Sequence, residues 1–227
     1  KPDIVLHAAA LKHVPICEQH PSDAIKTNIL GTKIIAENAI RFKSKIMVLV
    51  STDKAVDPTN FMGASKRAAE IYIQNVDREK HSTNFITVRF GNVLGSTGSV
   101  IPLFQNQILR GGPIKVTHKD ATRFFMSVKE AVELVLISLT SSLNTRERGG
   151  INVLEMGEPM KIDNLAKQLA RLSGLTPGKD IQIIYTGLRV GEKLHEKLFH
   201  KDEIKITTDH PDILIAKSRE LNFLKIN

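Results

Sequence analysis

The sequence predicts an α/β protein, a doubly wound parallel sheet with a smaller C-terminal lobe, and three observations carry that expectation. Short runs rich in Ile, Val and Leu alternate with amphipathic stretches, the pattern of a sheet covered by helices. Two of the runs, Asp3–His7 and Lys45–Ser51, are almost unbroken apolar segments, as in strands buried on both faces. The 227 residues are 41% hydrophobic and 25% charged, ordinary values for a globular chain.

Phe85–Phe90 and Ile181–Tyr185 are expected as further strands. Pro21–Phe42 is expected as a helix because Ile25, Leu30, Ile34, Ile35 and Ile40 recur among polar residues, and a second helix is expected over Gly63–Val76. Ser127 and Glu130 stand at capping-box spacing before the apolar run to Leu139. The stretch Lys161–Gly174 predicts a helix with Asp163 as cap and Gly174 as stop. Ser142–Gly150 is expected as an exposed loop between lobes. Residues 1–110 are assigned to a ligand-binding sheet domain and 111–227 mainly to the smaller lobe, with segments returning to the sheet.

Charge and cysteine content narrow the function classes. A net charge of +8 suits an anionic partner, but the basic residues are dispersed, aromatic residues are 5% and Trp is absent, so nucleic acid is not expected. The lone Cys17 forms no internal disulfide and fits a reducing compartment; it is read as structural. No stretch reaches the roughly 18 apolar residues of a membrane helix, and no secretory signal opens the chain. The expected location is cytoplasmic, with inner-membrane-face attachment through a segment outside this chain as a further expectation. The eight histidines and single cysteine form no ligand spacing, so no metal site is expected. A doubly wound dinucleotide fold needs a glycine-rich turn after its first strand, and none follows Asp3–His7; the chain is therefore read as the C-terminal part of a longer protein.

Six segments carry a resemblance: His7–Pro15, Thr27–Thr32, Ser51–Lys66, Val88–Phe104, Gly111–Met126 and Thr186–Leu198. Together, in this order, they resemble the extended short-chain dehydrogenase/reductases of the nucleotide-sugar type. Within these they are similar to the polysaccharide-biosynthesis, CapD/WbpM-like UDP-N-acetylglucosamine 4,6-dehydratases. The resemblance implies an NAD(P)-binding Rossmann fold, incomplete at its N-terminus, NAD or NADP as cofactor and a UDP-sugar as substrate. It also implies a homo-oligomer formed through helices such as Pro21–Phe42 and Gly63–Lys80.

The chemistry implied is redox-neutral. Hydride leaves C4 of the sugar for a nicotinamide, a base removes the acidified C5 proton, an acid protonates the departing C6 hydroxyl, and hydride returns to C6. Thr52, Asp53 and Lys54 follow a buried strand and so emerge at the carboxyl edge of the sheet, where open α/β folds bind ligands. The resemblance assigns Asp53 as acid, Lys54 as base and Thr52 as partner of the C4 hydroxyl. Donor and acceptor must each be held neutral, which burial favours. The alternative is a plain turn, with Asp53 capping a backbone amide and Lys54 solvated.

In most of the superfamily a catalytic tyrosine precedes the ribose-binding lysine by four residues. Here Met62 stands four residues before Lys66. A thioether exchanges no protons, so Met62 packs while Lys66 keeps the ribose. Either the site has lost its chemistry, or the C4 proton leaves through Thr52, Asp53 or water; the resemblance favours the second, since methionine marks the larger-subunit subgroup. Tyr72, six residues after Lys66, is read as a packing residue.

Ala8, Ala9 and Ala10 leave room for a dinucleotide at a strand end, and Asn28 matches a residue bracing the strand ends near the cofactor. His7 and His13 are read as packed histidines. On the substrate side the resemblance points to Asn92 and Arg123 at the diphosphate, Val100 under the nucleotide, Arg189 at the phosphates or uridine, and Glu192 as an orienting or capping carboxylate. Guanidinium forks suit phosphate oxygens. Two alternatives stand beside the dehydratase: a nucleotide-sugar epimerase, which needs no acid at C6, and a non-catalytic nucleotide-binding or regulatory module.

Overall fold

The computed structural model describes residues 1–79, 81–144 and 148–217. The chain divides into two units, one formed by Lys1–Phe90, Val132–Glu155 and the segment from Lys197, the other by Gly91–Ala131 and Met156–Glu196. The break expected at residue 110 therefore falls after Phe90.

In the first unit, β1 (Ile4–His7), β2 (Ile46–Thr52) and β3 (Asn84–Phe90) form where the apolar runs stand. They pair in parallel, with His7 opposite Leu49 and Thr52 opposite Phe90. After β1 come α1 (Val14–Gln19), α2 (Pro21–Ala24), a π-helical turn Ile25–Leu30 and α3 (Gly31–Arg41). The last three make up the helix expected over Pro21–Phe42. The wider turn coincides with Asn28, which is 1% exposed and turns its amide out of the helix toward Leu11. π turns of this kind recur at functional sites.

α4 (Phe61–Arg78) begins two residues before the expected start, because Asn60 caps it by accepting the Gly63 amide at 2.7 Å. α3 and α4 pack Ala36, Ala39, Ala69, Ile73 and Val76 against Met47, Leu49 and Phe85 of the sheet. Each large side chain so buried contributes about 1.5–3 kcal/mol. Tyr72 is half-buried against this cluster, as a packing residue should be.

The second unit holds β4 (Asn92–Val93), α5 (Val100–Leu109), β5 (Ile114–Val116), β6 (Thr122–Arg123) and β7 (Phe125–Met126). α6 (Val128–Asn144) starts with the expected capping box: the Ser127 amide donates to Glu130 Oε2 at 2.7 Å and the Glu130 amide to Ser127 Oγ at 3.1 Å. Its length takes Ser142–Asn144 out of the expected loop; residues 145–147 of that loop lie outside the described residues. β8 (Ile151–Leu154) follows in the first unit, then β9 (Met160–Lys161), α7 (Ile162–Leu172) and β10 (Ile183–Tyr185) in the second.

α7 stops at Gly174, whose φ of +77° suits the left-handed position after a helix. Asp163 is not its cap: Lys161 holds that position, and the Asp163 carboxylate accepts from Lys167 Nζ at 2.7 Å and Tyr185 Oη at 2.9 Å. The core of this unit gathers Phe104, Ile108, Ile114, Val116, Ile162, Ala166 and Ile181. Because α5 supplies Phe104 and Ile108, residues 91–110 belong here and not with the large sheet.

β11 (Ile204–Thr207) and β12 (Ile213–Lys217) complete the large sheet, in the order β1-β2-β3-β8-β12-β11. Its first four strands are parallel, as expected, and its last two are antiparallel. The strand expected at Ile181–Tyr185 pairs instead with β5 in the second unit. Among the described residues no helix is long and apolar enough to cross a membrane.

Candidate functional site

β2 ends at the carboxyl edge in Ser51 and Thr52 and runs into a single 3₁₀ turn, Asp53–Ala55. Asp53 is fully buried. Its Oδ1 accepts from Thr52 Oγ1 at 3.0 Å and from Lys54 Nζ at 2.9 Å. Among the described residues its Oδ2 has no hydrogen-bond partner, although it too is buried. Such an orphaned oxygen costs free energy unless a proton or a ligand donor meets it. The capping alternative for Asp53 finds no support in this geometry, and the Lys54 side chain is only 18% exposed.

The turn is held by close backbone approach. A Cβ on Gly63 of α4 would collide with the Lys54 carbonyl and press on Pro58 at 3.2 Å. Lys66, on the next turn of α4, donates from Nζ to the Val50 carbonyl at 2.6 Å. Burial lowers its ammonium to about 8, against the opposing pull of Glu70. Met62 is 3% exposed and packs with Cys17, Ala24, Leu11 and Val14, so its thioether fills a core. Burial, then Glu18, pushes the Cys17 thiol up, which fits an inert cysteine.

Asn28 ties the segment after β1 to α4. It accepts the Leu11 amide at 2.8 Å and donates to the Leu11 carbonyl at 3.0 Å and to Ser65 Oγ at 2.9 Å. Ala8 and Ala9 are exposed just beyond β1, and Ala10 is half-buried. His7 is packed: Thr32 Oγ1 gives its proton to the Asn28 carbonyl at 2.7 Å, so the bond to His7 Nε2 at 3.0 Å is donated by the ring. Burial and then the Lys66 charge lower the His7 pKa, keeping the ring neutral. His13 precedes α1 and makes no side-chain cap bond. The structure thus brings Ala8–Ala10, Asn28, Thr52–Lys54, Met62 and Lys66 together at one edge of the first unit.

The sequence does not point to the charge cluster beneath them. Ser51 Oγ donates to Glu70 Oε1 at 2.7 Å, and Arg89 of β3 donates to both Glu70 oxygens at 3.0 and 2.9 Å. Arg89 also donates to both oxygens of Glu203, at 2.8 and 3.0 Å. Burial alone would raise the Glu70 carboxyl, but Arg89, Arg67 and Ser51 outweigh it and hold the group at about 2. Arg89 is stabilised as the cation in turn. Two signals were present: an arginine alone inside the apolar run Phe85–Phe90, and a glutamate one helical turn beyond Lys66.

All five substrate-side candidates lie in the second unit. Arg123 is 7% exposed and committed to protein acceptors: the carbonyls of Thr122, Leu194 and Lys193, and Glu192 Oε1 at 3.0 Å. Glu192 also accepts from Thr117 Oγ1 at 2.9 Å and from the Arg189 amide at 3.1 Å. Arg123 and Glu192 therefore fix the turn that carries the exposed Arg189. Asn92 starts β4, which pairs with β7 just past Arg123. Val100 opens α5 and leans on the core of its unit.

Comparison with known proteins gives consistent relatives. The chain is 53% identical over 217 residues to the capsular polysaccharide biosynthesis protein CapD of Staphylococcus aureus, covering 96% of this chain and 35% of CapD. It is 38% identical to a UDP-N-acetylglucosamine 4,6-dehydratase (inverting) of Campylobacter jejuni, covering 90% of this chain and 58% of that protein. It is also 38% identical to a UDP-glucose 4-epimerase of Rickettsia canadensis, covering 98% and 64%. The solved structure of Pen from Bacillus thuringiensis superposes with a TM-score of 0.85 at 36% identity, over 95% of this chain and 66% of that one. This chain thus spans about a third of CapD. With residues 1–218 matching its model, the chain belongs to the polysaccharide biosynthesis protein family of nucleotide-sugar dehydratases and epimerases.

Proposed function

We propose that this chain carries the acid–base machinery of a nucleotide-sugar 4,6-dehydratase acting on a UDP-N-acetylglucosamine-type substrate with NAD or NADP. The carrying observation is Asp53: a fully buried carboxylate at the sheet's carboxyl edge, one oxygen held by Thr52 and Lys54, the other without a hydrogen-bond partner among the described residues.

Protons balance between that pair and solvent. The ammonium of Lys54 donates to Asp53 Oδ1; passing this proton across leaves a neutral amine beside a carboxylic acid. Those are the states that elimination needs. The C4 hydroxyl proton leaves through Thr52 to water as hydride departs; Lys54 then takes the C5 proton, Asp53 gives its proton to the C6 oxygen, and water leaves. As hydride returns to C6, the Lys54 ammonium gives a proton to C5, and one proton from solvent, equal to the one released from the C4 hydroxyl, restores the resting ion pair. Thr52 faces the C4 hydroxyl in this reading, and Met62 only packs.

The exposed, small Ala8 and Ala9 and the buried Lys66 fit a dinucleotide at this edge, with Lys66 on the ribose. When bound, the nicotinamide supplies reversible hydride acceptance. In the second unit, Arg189 and Asn92 bind the diphosphate beside Val100, while Arg123 and Glu192 hold the Arg189 turn.

The test supplies the full-length protein with UDP-N-acetylglucosamine and NAD in deuterated water. A 4-keto-6-deoxy product with deuterium at C5, abolished by Asp53→Asn, is expected. Epimerised sugar with its C6 hydroxyl intact would replace the dehydratase by the epimerase. Unchanged sugar despite binding of both ligands would leave a non-catalytic module.

A further inference from the structure

The segment Ser51–Asp57, which contains the Asp53–Lys54 pair, is anchored at both ends in one buried cluster of the first unit. At its start, Ser51 Oγ donates to Glu70. Glu70 leads through Arg89 to Glu203, whose Oε2 accepts the His200 amide at 2.8 Å. At its end, Asp57 returns to the same residue: His200 Nδ1 lies 3.0 Å from Asp57 Oδ1 and 3.3 Å from the Asp57 amide nitrogen. These two contacts exclude each other, since one nitrogen cannot donate to the carboxylate and accept from the amide together. Either tautomer therefore keeps Asp57 on His200.

Two features say that this ring of bonds holds geometry. Asp57 has a φ of +42°, a conformation most non-glycine residues avoid though aspartate tolerates it, and in it His200 Nδ1 is within reach of both the Asp57 carboxylate and the Asp57 amide. And buried charges such as Arg89, Glu70 and Glu203 are seldom a better source of stability than well-packed apolar side chains of the same volume.

We propose that Glu70, Arg89, Glu203 and His200 are positioning residues that clamp Ser51–Asp57 from both ends and so fix the Asp53–Lys54 pair, an inference that rests on the roles given to that pair above. Arg89 and Glu70 lie too deep for a clean test. His200 and Asp57 lie at the rim, with the Asp57 side chain 49% exposed.

The experiment uses His200→Ala and Asp57→Asn in the full-length protein and reads two quantities. The first is amide exchange at Val56, whose N–H donates to the Asp53 carbonyl at 3.0 Å, with Val48 in β2 as reference. The second is steady-state turnover. The clamp predicts exchange at Val56 about tenfold faster with Val48 unchanged. It also predicts kcat lowered by about 10–100-fold at nearly constant KM and unfolding midpoint. His200→Asn, whose amide nitrogen stands near the place of Nδ1, should restore both. Unchanged Val56 exchange overturns the clamp, and so does faster exchange with undiminished kcat. A wild-type protein that makes no 4-keto product refutes the roles of Asp53 and Lys54 instead; the clamp is then decided by the exchange result alone.

Discussion

Replacing Arg89 by methionine removes the cation that donates hydrogen bonds to both oxygens of Glu70 and of Glu203 while keeping most of the side-chain volume. Arg89 is fully buried, and its donors meet all four carboxylate oxygens of those residues. Breaking a buried pair by deleting one partner costs about 3–5 kcal/mol. Arg67 would remain, 2.9 Å from Glu70 and 3.8 Å from Glu203, one cation facing two carboxylates. That places the expected loss near the lower end, about 3 kcal/mol.

The pH dependence follows from Glu70. In the wild type its carboxyl is held at about 2 against an ordinary 4.5, so its contribution is present above 4.5 and lost as pH falls through 2. In the variant only Arg67 and Ser51 are left to oppose burial, so the carboxyl is expected to rise and acidification to relieve the penalty by protonating it. Urea unfolding followed by far-UV circular dichroism at neutral and mildly acid pH should show the deficit shrinking toward pH 4.5. Adding Glu70→Gln should recover part of it. A neutral-pH loss under about 1 kcal/mol, the size of a surface pair, would refute the reasoning, as would a deficit that widens on acidification.

Gly63→Ala should displace the Lys54 carbonyl, costing about 1–3 kcal/mol of overpacking and about 100-fold in kcat; melting and turnover measured together check both. Met62→Tyr puts a phenol into the cluster with Cys17 and Ala24, so a stability loss of about 1–3 kcal/mol with no gain in turnover is expected. Lys66, with a pKa of about 8, should grip a dinucleotide less tightly as pH rises through that value, readable by titration calorimetry. Its lowered pKa also means that wild type gains stability over Lys66→Met between pH 8 and 10.5, by roughly 3 kcal/mol in all. A flat difference across that window would contradict the burial argument.

β2 and β3 were legible as seven-residue, mainly apolar runs, and β1 as a short one. The expectation that Asp3–His7 is buried on both faces fails, because β1 lies at the edge of the sheet and leaves Ile4 and Leu6 exposed. β8, β11 and β12 were not legible: Asn152 interrupts the apolar run of β8 and Lys205 that of β11, while β8 and β12 take their places by pairing across distant stretches of sequence. Ile181–Tyr185 was visible as a strand, but its partner β5 has three residues. Periodicity reports that a segment is extended; it does not say which edge it joins. In the candidate site, motif spacing led to Thr52–Lys54 and Lys66 at one sheet edge. It also led to Arg123, which has the right chemistry for phosphate and yet gives its donors to Glu192 and three carbonyls. Glu70, Arg89 and Glu203 escaped because charge is normally read as surface, and only the tertiary structure shows all three buried.

The interleaving of the two units has a consequence for biosynthesis. Residues through Glu196 supply the whole second unit, whereas the first still awaits β11, β12 and Glu203 when that point is synthesised. Domains ordinarily fold from the N-terminus as the ribosome delivers them. Here the earlier-made unit must remain unfinished, with Arg89 and Glu70 lacking their second carboxylate, until the later one has been translated in full. The segment that carries Asp53 and Lys54 thus stays open to aggregation and proteolysis until Glu203 has been translated.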